Sequence, residues 1–199
     1  MKEFFYEESA LIQDEKFAKI KYYIFKVMSI ISYVLMGVWI FFVFYGYPWE
    51  NILADIFIVG IPLALFLTSG IILGKLKNRF YVDYDYTQVS DSLRFSKVIK
   101  NSKRVFIIKF DISMIEKIGE YGFGLYEKYS TMPGVSKLIL TANNTPSENK
   151  NFYYLVVNVN GDKKLIILES TETFLVNIMK FANKTILDEE YVKKISKSR

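Results

Sequence analysis

The amino-terminal part of the chain contains two long stretches without a charged residue. Val27–Trp49 covers 23 residues and Ile56–Gly74 covers 19, with the polar segment Pro48–Asn51 at their junction. A helix of roughly 20 apolar residues crosses the hydrocarbon core of a bilayer, and backbone groups in lipid must pair within the segment. Two buried core helices would need a core too large for 199 residues. The pattern therefore predicts a two-span transmembrane hairpin over residues 27–76.

The rest of the chain has a hydrophobic period of two, which is typical of half-buried strands. An apolar stripe at helical spacing follows over Phe174–Ala182, and Ser170 or Thr171 can cap that helix. The predicted strands are Phe80–Tyr86, Leu93–Ile99, Val105–Asp111, Ile112–Ile118, Leu138–Leu140, Phe152–Val159 and Lys163–Glu169. Asn160-Gly161 between the last two suits a type I′ hairpin turn. Seven antiparallel strands and one carboxy-terminal helix are the layout of a pleckstrin-homology-like (PH-like) domain.

The predicted fold class is thus an α+β membrane protein, with a transmembrane hairpin and a roughly seven-stranded antiparallel PH-like barrel capped by a carboxy-terminal helix. The domain occupies residues 80–187. Residues 1–26 form a juxtamembrane segment, for which an interfacial helix and a frayed leader both remain open. Residues 188–199 are a charged tail that is expected to project.

The charge distribution predicts the orientation of the hairpin. Residues 1–74 carry five Lys/Arg and seven Asp/Glu, whereas residues 75–199 carry 21 and 14. The turn that connects the spans contains no Lys or Arg. Basic residues instead precede the first span and follow the second: Lys16, Lys19, Lys21, Lys26, Lys75, Lys77 and Arg79. By the positive-inside rule, we expect both termini of this two-span protein to be cytoplasmic.

Composition excludes many kinds of chemistry. The chain has no cysteine and no histidine, so disulfides, thiolate nucleophiles and imidazole acid–base catalysis are ruled out. No phosphate loop or metal-ligand spacing is present. We therefore expect no enzyme, cofactor or metal site, and the absence of a dense basic block argues against nucleic-acid binding. An enzyme that uses only carboxylates, lysine or tyrosine stays open as a minor alternative.

Several short motifs resemble a bacterial domain-of-unknown-function family of small membrane proteins. They are Phe5–Glu8, Leu11-Ile12, Val82–Thr87, Ser92–Phe95, Lys103-Arg104 and Leu168–Glu172. The resemblance covers most of the chain and implies a membrane-anchored PH-like domain in a bacterial plasma membrane, without an assigned reaction. PH-like folds that bind phosphoinositides place basic residues in the first hairpin loop, whereas the predicted first loop here, Gln88–Ser92, is not basic. The resemblance therefore does not carry headgroup recognition over to this chain.

Four groups of residues are candidates for contacts with lipid, protein or metal. A basic turn could face anionic lipid or simply be solvated: Lys97, Lys100, Lys103 and Arg104. Gly70 and Gly74 form a GxxxG motif that favours helix packing, with homodimerisation as one alternative. Aromatic residues in a glycine-broken connection could form a partner surface or cover the barrel: Tyr121, Phe123, Tyr126 and Tyr129. Asp83 and Asp85 share one strand face and are either solvent-facing or cation-binding.

These features lead to two main functional hypotheses. The first is a binding or scaffolding module that presents the PH-like domain at the cytoplasmic membrane face to a protein partner. The second is a small accessory subunit of a membrane transport or channel complex, in which the hairpin and its GxxxG motif form the contact. Homo-oligomerisation remains open in both.

Overall fold

The computed structural model describes residues 4–48, 52–100, 102–182 and 185–197. The chain divides into two compact units, one made of residues 14–81 and the other of residues 1–13 together with 82–199. The predicted turn residues Trp49–Asn51 and the last two residues of the predicted tail lie outside the described residues. This division differs from the predicted one, because the first 13 residues belong to the sheet unit rather than to a juxtamembrane segment.

The smaller unit consists of two antiparallel helices, α1 (Glu15–Gly46) and α2 (Ile52–Leu76). Asp14 caps α1 by accepting a hydrogen bond from the Phe17 amide. Ser29 Oγ donates to the Gly70 carbonyl at 2.8 Å, and Trp39 Nε1 donates to the Val59 carbonyl at 3.2 Å. Both helices are long and apolar enough to cross a membrane, and few of their side chains are buried in the pair.

The larger unit contains two four-stranded sheets. Sheet A has the order β1 (Phe5–Ala10), β2 (Val82–Val89), β3 (Ser92–Ile99) and β4 (Lys103–Asp111), all antiparallel. The sequence predicted β2 to β4 but missed β1. Residues 5–10 were expected to lie in an interfacial helix or a frayed leader, and instead they pair with Val89 to Tyr84 of β2. The helix pair is therefore an insertion between two neighbouring strands.

Sheet B has the order β5, β7, β8, β6. Its strands are β5 (Ile115–Glu120), β6 (Ser136–Ile139), β7 (Asn151–Val159) and β8 (Asp162–Ser170). The β7–β8 turn is confirmed as type I′, since Asn160 and Gly161 both have positive φ. β6 pairs parallel to β8 rather than antiparallel. The two sheets do not close into the predicted barrel, and the described strands number eight rather than seven.

The main core lies between the inner faces of the two sheets and helix α4 (Glu172–Phe181). Phe174, Leu175 and Ile178 of the predicted stripe are buried there. Sheet B is apolar on its second face as well, where the short helix α3 (Tyr126–Thr131) and the connection around it pack on Tyr154 and Leu165. This double burial explains the unbroken apolar runs of β7 and β8.

A β-bulge changes the outer face of sheet A. The sequence predicted Phe106, Ile108 and Phe110 on one core face of β4. The register shifts between Phe95 and Ser96, so that Phe110 is buried, Ile108 is half-buried and Phe106 is 55% exposed. The bulge therefore turns one aromatic ring away from the core.

Residues 188–197 do not project from the domain as predicted. Residues Glu189–Lys197 form helix α5, and Asp188 and Tyr191 are buried. The Asp188 carboxylate accepts a hydrogen bond from the Glu190 amide, and the Asp188 carbonyl accepts one from the Val192 amide. The first turn of α5 is thus capped against the sheet unit.

Candidate functional site

The basic turn lies at one end of sheet A. Lys103 is opposite Ile99, and Ile99 is opposite Val82, the first residue of β2. The last residue of β1, Ala10, pairs with Tyr84 at this same end. Because the chain runs into α1 after β1 and returns from α2 before β2, both connections to the helix pair leave the sheet beside the basic turn.

The four basic residues of this turn have different surroundings. Lys100 and Lys103 are exposed and Lys97 is half-buried. The Arg104 guanidinium, in contrast, lies 2.7 Å from Asp85 Oδ2 and 3.3 Å from Glu7 Oε1 on the outer face of the sheet. Arg104 thus ties β4 to β1 and β2. Contact of Lys97, Lys100 and Lys103 with an anionic surface stays a prediction.

Asp83 and Asp85 are buried, so the predicted solvent-facing pair is wrong. Asp83 accepts a hydrogen bond from the Ile12 amide, and Asp85 accepts one from Ser9 Oγ. No cluster of three metal-ligating side chains occurs within the described ranges. Both aspartates therefore anchor the amino-terminal strand and the residues that follow it.

A polar loop, residues 141–150, holds the chain where it leaves the sheet. Asn143 accepts a hydrogen bond from the Gln13 amide and donates one to the Leu11 carbonyl. Its amide also donates to the fully buried Glu169 carboxylate. Burial raises the pKa of Glu169, but hydrogen bonds from residues that include Ser147 outweigh burial and hold the pKa below its usual range.

Another buried carboxylate, that of Glu8, joins β1 to helix α4. Glu8 accepts hydrogen bonds from the amide and the hydroxyl of Thr171, the residue that precedes α4, and Lys150 Nζ lies 3.6 Å away. A carboxylate at a helix amino terminus is favoured by the helix dipole. The predicted capping role of Thr171 is therefore supplied by Glu8, since the Thr171 side chain makes no cap bond of its own.

The glycine-broken connection contains both covering and exposed aromatics. Tyr126 is buried on the outer face of sheet B, where its hydroxyl accepts a hydrogen bond from Lys137, and Tyr129 packs beside it. Tyr121 and Phe123 are about two-fifths exposed. A cavity of about 230 Å³ adjoins Tyr121 and is also lined by Phe152. Tyr126 and Tyr129 thus cover sheet B, and a partner surface at Tyr121 and Phe123 stays a prediction.

Asp188 fixes this connection to the start of α5. Its carboxylate accepts hydrogen bonds from the Leu125 amide and the Tyr154 hydroxyl. Burial and this bond from the hydroxyl raise the pKa of Tyr154. Gly124 has φ +62°, and a Cβ there would lie 2.4 Å from Asp188 Oδ2. Glycine is therefore required both by the backbone conformation and by the contact.

Gly70 and Gly74 pack within the chain. A Cβ on Gly70 would lie 2.8 Å from the Tyr33 ring of α1, and a Cβ on Gly74 would lie 3.3 Å from Ser29 Oγ. The small residues allow the two helices to approach closely. The predicted packing motif thus faces α1 of the same chain, and this face is not open for a second copy.

The sequence profile of the bacterial PH-like domain family DUF6106 matches residues 3–188. The chain belongs to this family. No curated protein and no solved structure matches the chain. The DUF6106 match begins before β1 and continues through the helix pair to Asp188, so it covers both units.

Within this DUF6106 chain, the first hairpin is β1–β2, and its connection is residues 11–81. The loop Gln88–Ser92, predicted as the first, is part of the second hairpin. The sequence signal for β1 was missed because the strand is short. Tyr6, Glu8 and Ala10 face inward and alternate with Phe5, Glu7 and Ser9, but one of the inward residues is a glutamate. A buried acid in such a short segment concealed the strand period.

Proposed function

We propose that the chain is a membrane-anchored binding module. In this proposal, α1 and α2 span the plasma membrane, both termini are cytoplasmic, and the PH-like domain is held at the cytoplasmic face. The observation that carries the proposal is the insertion of an apolar helix pair between two hydrogen-bonded neighbouring strands. Helices α1 and α2 are antiparallel, and Ala10, before α1, pairs with Tyr84, after α2. The two connections between the sheet and the helix pair therefore belong on the same side of the membrane.

Topology is tested by accessibility of single cysteines in this naturally cysteine-free chain. Asn51→Cys and Ser196→Cys are labelled with a membrane-impermeant maleimide on intact cells and after lysis. We expect the cysteine at position 51 to react on intact cells and the one at position 196 only after lysis. A position 196 that reacts on intact cells would contradict the proposal.

The basic turn supplies the contact with lipid in this proposal. Lys97, Lys100 and Lys103 lie at the sheet end from which the chain continues into the helices. A lysine near an anionic membrane surface contributes about 1 kcal/mol. The three together would hold the domain at the lipid surface without recognising one headgroup.

Hydrogen exchange of the full chain in nanodiscs tests this contact. The amides of residues 97–103 should exchange more slowly in discs with anionic phosphatidylglycerol than in pure phosphatidylcholine. The replacement of Lys97, Lys100 and Lys103 by glutamine should abolish that difference. The β2–β3 turn at Ser90 is the internal control, because it lies at the opposite end of the strands. Equal protection of both turns would refute lipid contact by the basic turn.

The protein partner in this proposal binds at Tyr121 and Phe123. Both side chains are partly exposed, Tyr121 lines a cavity, and aromatic side chains are common anchors of protein interfaces. The variant Y121S/F123S should lose co-purifying partners from gently solubilised membranes. V176S/V192S, which changes similarly exposed apolar positions on α4 and α5, should retain them. If both variants lose the same partners, this surface is not the binding site.

The alternative function is an accessory subunit of a transport or channel complex. The motif that was predicted to make its contact is already packed within the chain. This is the GxxxG motif, in which Gly70 packs on Tyr33. A truncated chain that ends at Leu76 distinguishes the two functions. Partners that bind this helix pair alone would favour the subunit, and partners that need the whole chain favour the binding module.

A further inference from the structure

The outer face of sheet A contains a cavity of about 720 Å³, on the side turned away from the main core. All four strands contribute to its lining. One cross-strand row runs through Glu7, Thr87, Arg94 and Lys109, each opposite the next. Cavities of this size accommodate small organic ligands.

This row contains two cations, Arg94 and Lys109. The Arg104 guanidinium pairs with Glu7 Oε1 at 3.3 Å and with Asp85 Oδ2 at 2.7 Å. Among the residues that the structure describes, Arg94 and Lys109 make no ion pair with a carboxylate. Like charges directly opposite each other on neighbouring strands are destabilising. An anionic ligand between them would remove that repulsion.

Neighbouring groups supply hydrogen-bond donors and an apolar wall. Ser92 lines the cavity two residues before Arg94, and its Oγ is buried without a hydrogen-bond partner among the described residues. The Arg94 guanidinium lies 5.5 Å from the centre of the exposed Phe106 ring, which keeps the guanidinium on this face. Phe5 and Val89 add exposed apolar surface at the cavity. Asp91 also lines it, at the β2–β3 turn.

We propose that this cavity binds a soluble phosphate monoester that carries an apolar group. The Arg94 guanidinium, the Lys109 ammonium and the Ser92 hydroxyl together offer donors to three phosphate oxygens. A phosphate dianion compensates the positive charges of both Arg94 and Lys109. A carboxylate would compensate only one of them. The apolar part of the ligand would contact Phe5 and Val89, which line the cavity.

The position on the sheet distinguishes a soluble ligand from a lipid headgroup. Arg94 lies five residues before Ile99, which is about 17 Å along the strand from the end that carries the basic turn. In the proposed orientation, that basic end faces the membrane. The choice of a soluble source rests on the proposed function, whereas binding of the phosphate group does not.

Calorimetric titration of the full chain in phosphatidylcholine nanodiscs tests the site. The probes are phenyl phosphate, inorganic phosphate and benzoate. We expect phenyl phosphate to bind most tightly, because it adds apolar contact to a dianion, and benzoate to bind most weakly. The R94Q/K109Q variant should weaken phenyl phosphate binding by about tenfold or more, and S92A by about threefold.

The matched control is K128Q/K193Q, which removes the same charge from exposed positions on α3 and α5. It should bind phenyl phosphate as the natural chain does. The proposal is overturned if the control loses affinity to the same extent, if benzoate equals phenyl phosphate, or if phenyl phosphate does not bind at millimolar concentration.

A second titration distinguishes the source of the phosphate. Phosphatidic acid presents a phosphate monoester as a lipid headgroup in the same nanodisc. If the site takes a soluble ligand, added phosphatidic acid leaves phenyl phosphate affinity unchanged. Competition by phosphatidic acid that R94Q/K109Q abolishes would overturn the soluble source and indicate that this face turns toward the bilayer. That result would contradict the proposed orientation while leaving phosphate binding intact.

Discussion

Alanine at Gly124 should destabilise the start of α5 far more than alanine at Gly122. Both glycines have positive φ, +62° and +75°, so each substitution carries a backbone cost of about 1 kcal/mol. A Cβ at Gly122 meets nothing within 4 Å, whereas one at Gly124 would lie 2.4 Å from Asp188 Oδ2. Gly122→Ala therefore measures the backbone cost alone.

The additional cost at Gly124 comes from displacing the buried Asp188 carboxylate. That carboxylate accepts hydrogen bonds from the Leu125 amide, the Tyr154 hydroxyl and the Glu190 amide. A hydrogen bond to a charged group contributes about 1.5–3 kcal/mol. Losing one or two of them gives an expected difference of about 3 kcal/mol between the variants.

Hydrogen exchange of the full chain in detergent micelles measures this difference. Amides in residues 185–193 should exchange about 100-fold faster in Gly124→Ala than in Gly122→Ala, since each 1.4 kcal/mol changes the opening equilibrium tenfold. β7 and β8 away from Tyr154 should keep their protection. Equal exchange in the two variants would show that Asp188 does not depend on the space at Gly124.

Three further outcomes follow from other contacts. Gly70→Leu should weaken the α1–α2 pair by about 1–3 kcal/mol because its Cβ would meet the Tyr33 ring, measured as lower resistance to dodecyl sulfate; Gly60→Leu, with open space around it, should not. The lowered pKa of Glu169 contributes stability that is present above its unfolded pKa and lost as pH falls through its folded pKa. Acid unfolding should therefore be less pH-dependent in Glu169→Gln, and an unchanged profile would contradict the assignment. Glu8→Ala should lower stability by about 2 kcal/mol, seen as faster exchange at the start of α4, because two Thr171 donors lose their acceptor.

The parts of the fold that the sequence predicted are those with local signals. Asn160-Gly161 between two apolar runs specifies its own hairpin, and the stripe at Phe174 and Ile178 specifies α4. Both signals lie within about ten consecutive residues. The charge-free runs likewise predicted the two apolar helices, because length and hydropathy need no distant partner.

The parts that the sequence missed depend on contacts between distant residues. β1 is short and contains an inward-facing glutamate, so it becomes a strand only by pairing with β2 more than 70 residues later. The exposure of Phe106 depends on a bulge in β4 itself, where Ile107 is the extra residue between the pairings of Phe106 and Ile108 with β3. Asp83 looked solvent-facing because its partner, the Ile12 amide, comes from a segment that was not recognised as part of the domain. The basic residues Arg94 and Lys109 were overlooked because only the pairing of β3 with β4 places them opposite each other.

The insertion of the helix pair explains how so short a first strand pairs stably. Closing a flexible loop of about 70 residues between β1 and β2 would cost about 4 kcal/mol in chain entropy, against about 1.5 kcal/mol for a loop of a few residues. The helix pair removes most of this difference, because its own contacts bring its two ends together: the Tyr81 hydroxyl donates to Glu15 Oε1 at 2.6 Å. Pairing at Ala10 and Tyr84 then closes only the few remaining residues. Formation of the helix pair and completion of sheet A are therefore coupled, and a substitution that separates α1 from α2, such as Gly70→Leu, should also loosen β1.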